Sequence, residues 1–157
     1  WIWIGGARIL NQKLIFSTNK ATALMLREHL KACDDSYLPK LSTRVDIHSY
    51  TNKIFTNGTR FEALDGIQLV GLLVFYCCES GQKTAFITNV SVLPEFCNQG
   101  IASKLLEISL DYLRGDGFIC AELEVSLLNS AACSLYEKFG FVARSRTGQS
   151  IRMQTKF

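Results

Sequence analysis

The sequence predicts an α/β domain of the α+β kind, a mixed and mostly antiparallel sheet flanked by helices. Three features predict it. Apolar residues repeat at helical spacing up to Asn57 and switch to strand-like alternation at Arg60. Two turn segments, Asp65-Gly66 and Glu79 to Lys83, separate three strand-like runs in the manner of an antiparallel meander. From Val92 to Phe118 the pattern runs strand, helix, strand, and such a crossover makes its two strands parallel.

The elements follow in order. Thr18 is expected to cap a helix reaching about Cys33, with Leu24, Leu26 and Leu30 as its apolar stripe; Asp34 to Pro39 breaks it. Ile47, Tyr50 and Ile54 mark a second short helix that ends at Asn57-Gly58. Arg60 to Leu64, Ile67 to Cys78 and Thr84 to Val92 are the meander strands. A helix is expected from about Gln99 to Arg114, with Ile101, Leu105, Ile108 and Tyr112 on one face and Gly115 just past its end. Phe118 to Val125 returns as a strand. Asn129 caps a helix that carries Ala132, Leu135, Tyr136 and Phe139 on one face and ends at Gly140. Phe141 to Arg146 and Ser150 to Lys156 form the last hairpin around Thr147-Gly148-Gln149. With no internal repeat or linker, residues 1–157 are expected to form one domain. Trp1 to Gln12 supports no functional reading; without an initiator Met, this stretch is expected to be irregular or foreign to the natural chain.

Composition narrows the function. The net charge of +3 comes without a basic run, which argues against nucleic acid as partner. The longest apolar stretch, Ile67 to Cys78, is too short to span a bilayer and contains Gln68 and Gly71, so no membrane partner is expected. The six cysteines, Cys33, Cys77, Cys78, Cys97, Cys120 and Cys133, show no metal-ligand spacing. Buried reduced thiols in a cytoplasmic protein, with no metal, are the expectation.

The stretch VSVLPEFCNQGIASKLLEI, Val90 to Ile108, concentrates the chemistry. A helix fed from a strand, opening on Gly100 and Ala102, exposes unpaired N–H groups at the positive end of its dipole. Small residues there let a bulky anion approach the backbone. The stretch is neither a Walker loop nor a dinucleotide fingerprint, because the glycines those motifs need are missing.

Val90-x-Val92-x-Pro94, followed by Gly100-x-Ala102 and an apolar helix, resembles the acetyl-CoA-binding motif of the GNAT superfamily of N-acyltransferases. Asn129-x-x-Ala132-x-x-Leu135-Tyr136-Glu137-Lys138-Phe139-Gly140-Phe141 resembles that family's second cofactor-side helix and the strand after it. The element order is also the family's, from about Thr18 onward. One departure stands out: the family's turn usually opens with Gln or Arg three residues before the glycine, and here Cys97 holds that place.

The resemblance implies a GNAT-like fold and an acetyl-CoA-dependent N-acetyltransferase with acetyl-CoA as co-substrate. Cys97, Asn98, Gln99, Gly100, Ile101, Ala102 and Ser103 would hold the CoA pyrophosphate. Val90 and Val92 would lie along the pantetheine, provided their strand splays from the Phe118 strand. Asn129 would cap its helix and bond the cofactor or a water. Tyr136 would protonate the departing thiolate; read without the resemblance, it is a core tyrosine on the apolar stripe. The implied partner is a small-molecule or peptide amine acceptor, with a homodimer left open. The general base is not legible. Ala85 to Asn89 has no carboxylate, Glu122 and Glu124 share one face that is either cleft or solvent, and His29 and His48 read as solvated or packed. A water-mediated base is equally compatible. Gly71 reads as a sheet-packing position. The competing class is a non-catalytic CoA-binding or regulatory module on the same fold.

Overall fold

The structure, a computed structural model, describes residues 13–78 and 83–157. The expectation for Trp1 to Gln12, and most of the turn expected over Glu79 to Lys83, lie outside the described residues.

Among the described residues, seven strands form one sheet in the order β1-β2-β3-β4-β5-β7-β6. In chain order the elements are β1 (Ile15–Thr18), α1 (Ala23–Ala32), α2 (Ile47–Asn57), β2 (Thr59–Asp65), β3 (Gln68–Cys78), β4 (Thr84–Val92), α3 (Ile101–Gly115), β5 (Cys120–Ser126), α4 (Ser130–Lys138), β6 (Val142–Thr147) and β7 (Ser150–Lys156). Only β4 and β5 pair in parallel; every other neighbouring pair is antiparallel. The expected mixed, mostly antiparallel sheet is therefore present.

Several local expectations need correction. Thr18 does not cap α1. It ends β1, opposite Phe61, and Thr22 is the cap, accepting the Met25 N–H at 3.3 Å. Strand β1 has no counterpart in the sequence reading, because four residues give too little alternation to declare a strand. Leu24 is exposed rather than part of the apolar stripe, and His29 takes a buried place beside Leu26 and Leu30. Ile67 lies in the β2–β3 turn and is 93% exposed. Helix α3 starts at Ile101 rather than Gln99, and Gly115 is its last residue. Burial of the thiols is also wrong as a generality. All six cysteines are free, but only Cys33 and Cys120 are buried; Cys77, Cys78 and Cys97 are exposed.

Two apolar layers cover the sheet. Helix α3 and the α4 residue Tyr136 share one cluster with Phe75, Ile87, Leu123 and Phe141. Helices α1 and α2 cover the other face through Leu26, Leu30 and Ile54 against Leu69, Leu72 and Val74. Gly71 on β3 sets the approach of α3. A Cβ there would stand 2.6 Å from Ile101 Cγ2 and 3.1 Å from Leu105 Cδ1, so the helix start can lie against the strand only because the side chain is absent. The packing reading of Gly71 holds.

Buried polar groups tie the layers together. The Glu62 carboxylate accepts from Ser17 Oγ at 3.0 Å and from the N–H groups of Lys20 and Ala21 at 2.8 and 3.0 Å, and it pairs with Arg60 Nε at 3.4 Å. Arg60 also donates to the Phe55 carbonyl at the end of α2, 2.8 Å away. A buried charge is tolerable only with such partners.

His29, 2% exposed, lies 2.9 Å from the Leu69 carbonyl through Nδ1 and 2.9 Å from Ser91 Oγ through Nε2. Burial lowers its pKa from 6.5 to about 4, against a smaller upward pull from the Leu69 carbonyl. The unfolded chain therefore takes up a proton near 6.5 that the folded chain refuses until about 4. The stability linked to His29 is complete above the upper value and is lost as pH falls through that window. Urea titrations at stepped pH should show stability falling from about pH 6.5 to about 4, and His29→Gln, which does not titrate, should flatten that limb. An equal slope in both proteins would contradict the assignment.

Candidate active site

The site forms where β4 and β5 stop pairing. Their parallel ladder runs from Thr84↔Cys120 to Ile87↔Leu123 and goes no further. Beyond it, Asn89 to Val92 stays paired with β3, while Glu124 to Ser126 stays paired with β7. The strands part, leaving a gap inside the sheet. Its starting point coincides with a bulge: Val74 faces Asn89 but Phe75 faces Ile87, so Thr88 is the extra residue. A bulge of this kind bends its strand and ends regular pairing.

Backbone polarity at the gap follows from alternation. The Leu93 N–H donates to the Val70 carbonyl on the β3 side at 2.9 Å. Ser91 and Asn89 share that side, so Val92 and Val90 turn their N–H and C=O groups toward the gap. The side chains of Val90 and Val92 pack on the α3 cluster. The splay that the two valines require is present.

At the mouth of the gap the chain turns through Pro94–Phe96 into the loop before α3. Asn98 and Gly100 both have left-handed φ values, 61° and 79°. Such a loop turns successive N–H groups to one side, a concavity suited to anions. A Cβ built on Gly100 would meet nothing within 4 Å, so the space ahead of the helix is open. No side chain caps α3 and its first turn holds no acidic residue. The 15-residue helix thus presents the N–H groups of Ile101, Ala102 and Ser103 at its positive end. Cys97 does not replace a long polar side chain: its Sγ lies 3.5 Å from the Leu93 carbonyl and 3.8 Å from the Val92 carbonyl. Gln99 turns its amide back to the Glu95 carbonyl at 3.4 Å. The polar groups this loop turns outward are therefore those of the backbone.

Two chemically useful side chains flank the gap from opposite faces. Asn129 caps α4 by accepting the Ala132 N–H at 3.1 Å, as its position predicts. The cap orients α4 so that Tyr136 packs against Phe141, centroids 5.8 Å apart, in the same cluster as Leu123. The Tyr136 hydroxyl has no hydrogen bond to the described residues. Burial, and then Cys133, push its pKa well above the ordinary phenol value, so the group stays protonated and keeps an O–H to donate. On the other face lie Glu122 and Glu124, on the side of β5 opposite to Leu123. Glu122 is committed, 2.7 Å from Arg152 Nη2 and 2.8 Å from Gln154 Nε2. Glu124, the first residue past the last β4–β5 pair, is exposed and has no ion pair or hydrogen bond among the described residues. Sequence alternation put the two glutamates together; Arg152 lies opposite Glu124 in the register, and only its diagonal reach to Glu122 shows which carboxylate is unpaired.

Of the histidines, His48 is exposed on α2, 3.3 Å from Asn52 Nδ2, and His29 is buried in the α1 interface. Neither reaches the gap. No group of three metal-ligating side chains occurs among the described residues, and no helix among them is long and apolar enough to cross a membrane. Two shallow hollows, one beside Phe16 and Leu105 and one between Leu24 and His48, involve neither β4 nor β5.

The sequence matches the acetyltransferase (GNAT) family over residues 23–141, from α1 through α4. The chain belongs to that family. It is 32% identical over 90 residues to N-alpha-acetyltransferase 30 of Schizosaccharomyces pombe, covering 55% of this chain and 59% of that protein. It is 40% identical over 80 residues to the ribosomal protein bS18-alanine N-acetyltransferase of Escherichia coli K12, covering 44% and 54%. The chain thus spans little more than half the length of these curated relatives. Among solved structures, PH1933 from Pyrococcus horikoshii superposes with a TM-score of 0.76 at 27% identity, over 92% of this chain and 99% of that one. An N-acetyltransferase from Thermoplasma acidophilum, solved with coenzyme A, gives 0.70 at 17% identity, over 91% and 99%, which shows the shared fold.

Gly100→Ala and Gly100→Glu separate shape from charge at the helix start. Both force a side chain into left-handed backbone, at a cost of about 1–2 kcal/mol. Neither Cβ meets a neighbour. Calorimetry should show CoA affinity nearly kept in the alanine variant and reduced at least roughly tenfold in the glutamate variant, where a carboxylate opposes an anion at the dipole. Equal affinities in two folded variants would remove the anion site.

Proposed function

We propose that the chain transfers an acetyl group from acetyl-CoA to a primary amine by direct attack. The observation that carries this reading is the junction of the β4–β5 gap with the uncapped start of α3. One end offers free strand edges to an extended arm, the other a cluster of N–H groups to a pyrophosphate. An arm bearing amides, attached to a diphosphate, fits both ends at once, as coenzyme A does. The N–H groups of Ile101, Ala102 and Ser103, with the loop from Cys97 to Gly100, hold the pyrophosphate; Val90 and Val92 bond the pantetheine amides as an added strand would.

With the cofactor so laid, the thioester lies in the gap between the two faces of the sheet. The neutral amine approaches from the Glu124 side, and its nitrogen lone pair attacks the thioester carbon. Glu124 takes the amine proton, directly or through one water, and Tyr136 gives its proton to sulfur as the C–S bond breaks. The products are the acetamide and CoA thiol, and the two side chains return to their starting states by proton exchange with water. Holding both reactants along one line supplies much of the rate. The acceptor class is an amine on a small molecule or peptide. The relative named as a ribosomal protein bS18-alanine N-acetyltransferase supports the peptide choice. The free cysteines support a reducing compartment, the cytoplasm.

An acceptor screen with acetyl-CoA, read by thiol release, tests the activity itself; no release with any amine, and no CoA binding, would contradict it. Tyr136→Phe removes only a hydroxyl and should keep fold and CoA affinity. Its single-turnover rate should fall by at least ~10²-fold if the phenol serves the leaving thiolate. An unchanged single-turnover rate would make Tyr136 a packing residue. Glu124→Gln should lose a similar factor at neutral pH and regain rate as rising pH lets hydroxide take the amine proton in its place. A deficit that stays constant with pH would exclude Glu124 as the proton acceptor.

A further inference from the structure

Histidine 29 has no place in the chemistry above, yet it heads a continuous buried chain of polar groups. Nδ1 meets the Leu69 carbonyl at 2.9 Å and Nε2 meets Ser91 Oγ at 2.9 Å. Ser91 Oγ lies 2.8 Å from one end of the Asn89 side-chain amide, and the other end lies 2.6 Å from Tyr37 Oη. Asn89 and Ser91 belong to the half of β4 that has left β5. Tyr37 follows the turn Asp34–Ser36 in the segment between α1 and α2, and it packs against both core clusters. The chain thus joins the end of α1, the α1–α2 segment and the splayed strand.

Two directions satisfy these contacts. In one, an imidazolium donates from both nitrogens, Ser91 donates to Asn89 Oδ1, and Asn89 Nδ2 donates to Tyr37. In the other, the ring is neutral. The Leu69 carbonyl can only accept, so Nδ1 carries the proton and Nε2 accepts from Ser91. Ser91 Oγ then accepts from the Asn89 N–H, the amide being turned by 180°, and the Asn89 oxygen accepts from Tyr37. Burial favours the neutral ring, and Cys33 Sγ at 3.6 Å brings no compensating charge. No carboxylate hydrogen-bonds to any member of the chain among the described residues. The second direction is therefore the resting one, and each contact in the chain has one donor and one acceptor in it.

The geometry points to His29 as a positioning residue for acetyl transfer: through Ser91 and Asn89 it fixes Tyr37 and the splayed half of β4 in one arrangement. The inference rests on the acetyltransferase reading. The network fastens the side chains of Asn89 and Ser91, which alternate along β4 with Val90 and Val92, whose backbone holds the pantetheine. Loosening the network lets that edge shift without emptying the pyrophosphate site, and misplacement far from the chemistry costs rate more than binding.

Side-chain reach gives the test. A glutamine amide reaches the place of Nε2 and an asparagine amide that of Nδ1, so only His29→Gln can still engage Ser91. His29→Gln should keep kcat within a few-fold of the parent. His29→Asn and the small change Ser91→Ala should each lower kcat by roughly 10- to 100-fold, with CoA affinity by calorimetry within about threefold. Tyr37→Phe combined with Ser91→Ala should cost no more than the worse of the two alone. Kinetic losses that simply track melting temperature, or losses that multiply in the double variant, would overturn the inference. The network also has a signature that needs no activity. In 15N-histidine NMR of the whole chain, His29 should show the Nδ1-protonated neutral ring, and Tyr37→Phe should shift its Nε2 signal. An Nε2-protonated ring, or no response to Tyr37→Phe, would also overturn it. If the parent protein neither binds CoA nor acetylates any amine, the acetyltransferase reading fails first; if the parent is active and these outcomes are absent, only the role of His29 fails.

Discussion

Pairing between β4 and β5 ends at Ile87 and Leu123, and the rest of the molecule depends on that break. Two neighbouring parallel strands ordinarily satisfy each other's backbone groups along their whole length. Here they do so for four residue pairs and then part, leaving N–H and C=O groups of Val90 and Val92 without a strand partner. Water or a ligand must take the partner's place. A ligand that does so needs an extended backbone-like arm, which selects a narrow chemical class before any side chain is considered.

The flanking elements keep the break open and place groups around it. The Thr88 bulge turns β4 away, and the β7 pairing holds β5 on its own line. Gly71 lets the start of α3 settle against β3, which brings the helix dipole to the mouth of the gap. The Asn129 cap starts α4 so that Tyr136 comes up on the α3 side, while strand alternation leaves Glu124 on the other. A phenol and an unpaired carboxylate thus lie on opposite faces of the sheet. Charge contributes little to recognition at the loop, where Cys97 lies over strand carbonyls and no basic side chain occurs between Glu95 and Lys104.

Local signals carried much of this into the sequence. The hairpin dipeptide Asp65-Gly66, the asparagine cap, the glycine at the mouth of α3 and the crossover between Val92 and Phe118 each act within a few residues, so each was legible. Features set by distant partners were not. Thr18 and Thr22 are equivalent caps by type, and only pairing with Phe61, 43 residues away, makes Thr18 a strand residue. His29 is a polar residue on a helix; its burial follows from Leu69 and Ser91, on strands 40 and 62 residues further along. Glu122 and Glu124 were indistinguishable in the sequence; the β5–β7 register sets Gln154 opposite Glu122 and Arg152 opposite Glu124, and the Arg152 side chain reaches diagonally to Glu122, leaving Glu124 without an ion pair. The exposed Cys77 and Cys78 show the same limit, because an apolar run does not reveal where its strand leaves the core.

The central claim is that coenzyme A lies in the gap with its pyrophosphate on the start of α3. Backbone amide NMR during a CoA titration tests it most directly, since the groups said to bind are themselves N–H groups. The largest shifts should fall on Gly100 to Ser103, with a second set on Val90 and Val92 and little change in β1, β2 or α2. Adding 3′,5′-adenosine diphosphate, which lacks both the pyrophosphate and the pantetheine arm, should reproduce neither set. Saturating CoA that leaves Gly100 to Ser103 and the two valines unmoved, or shifts confined to another face, would contradict the account.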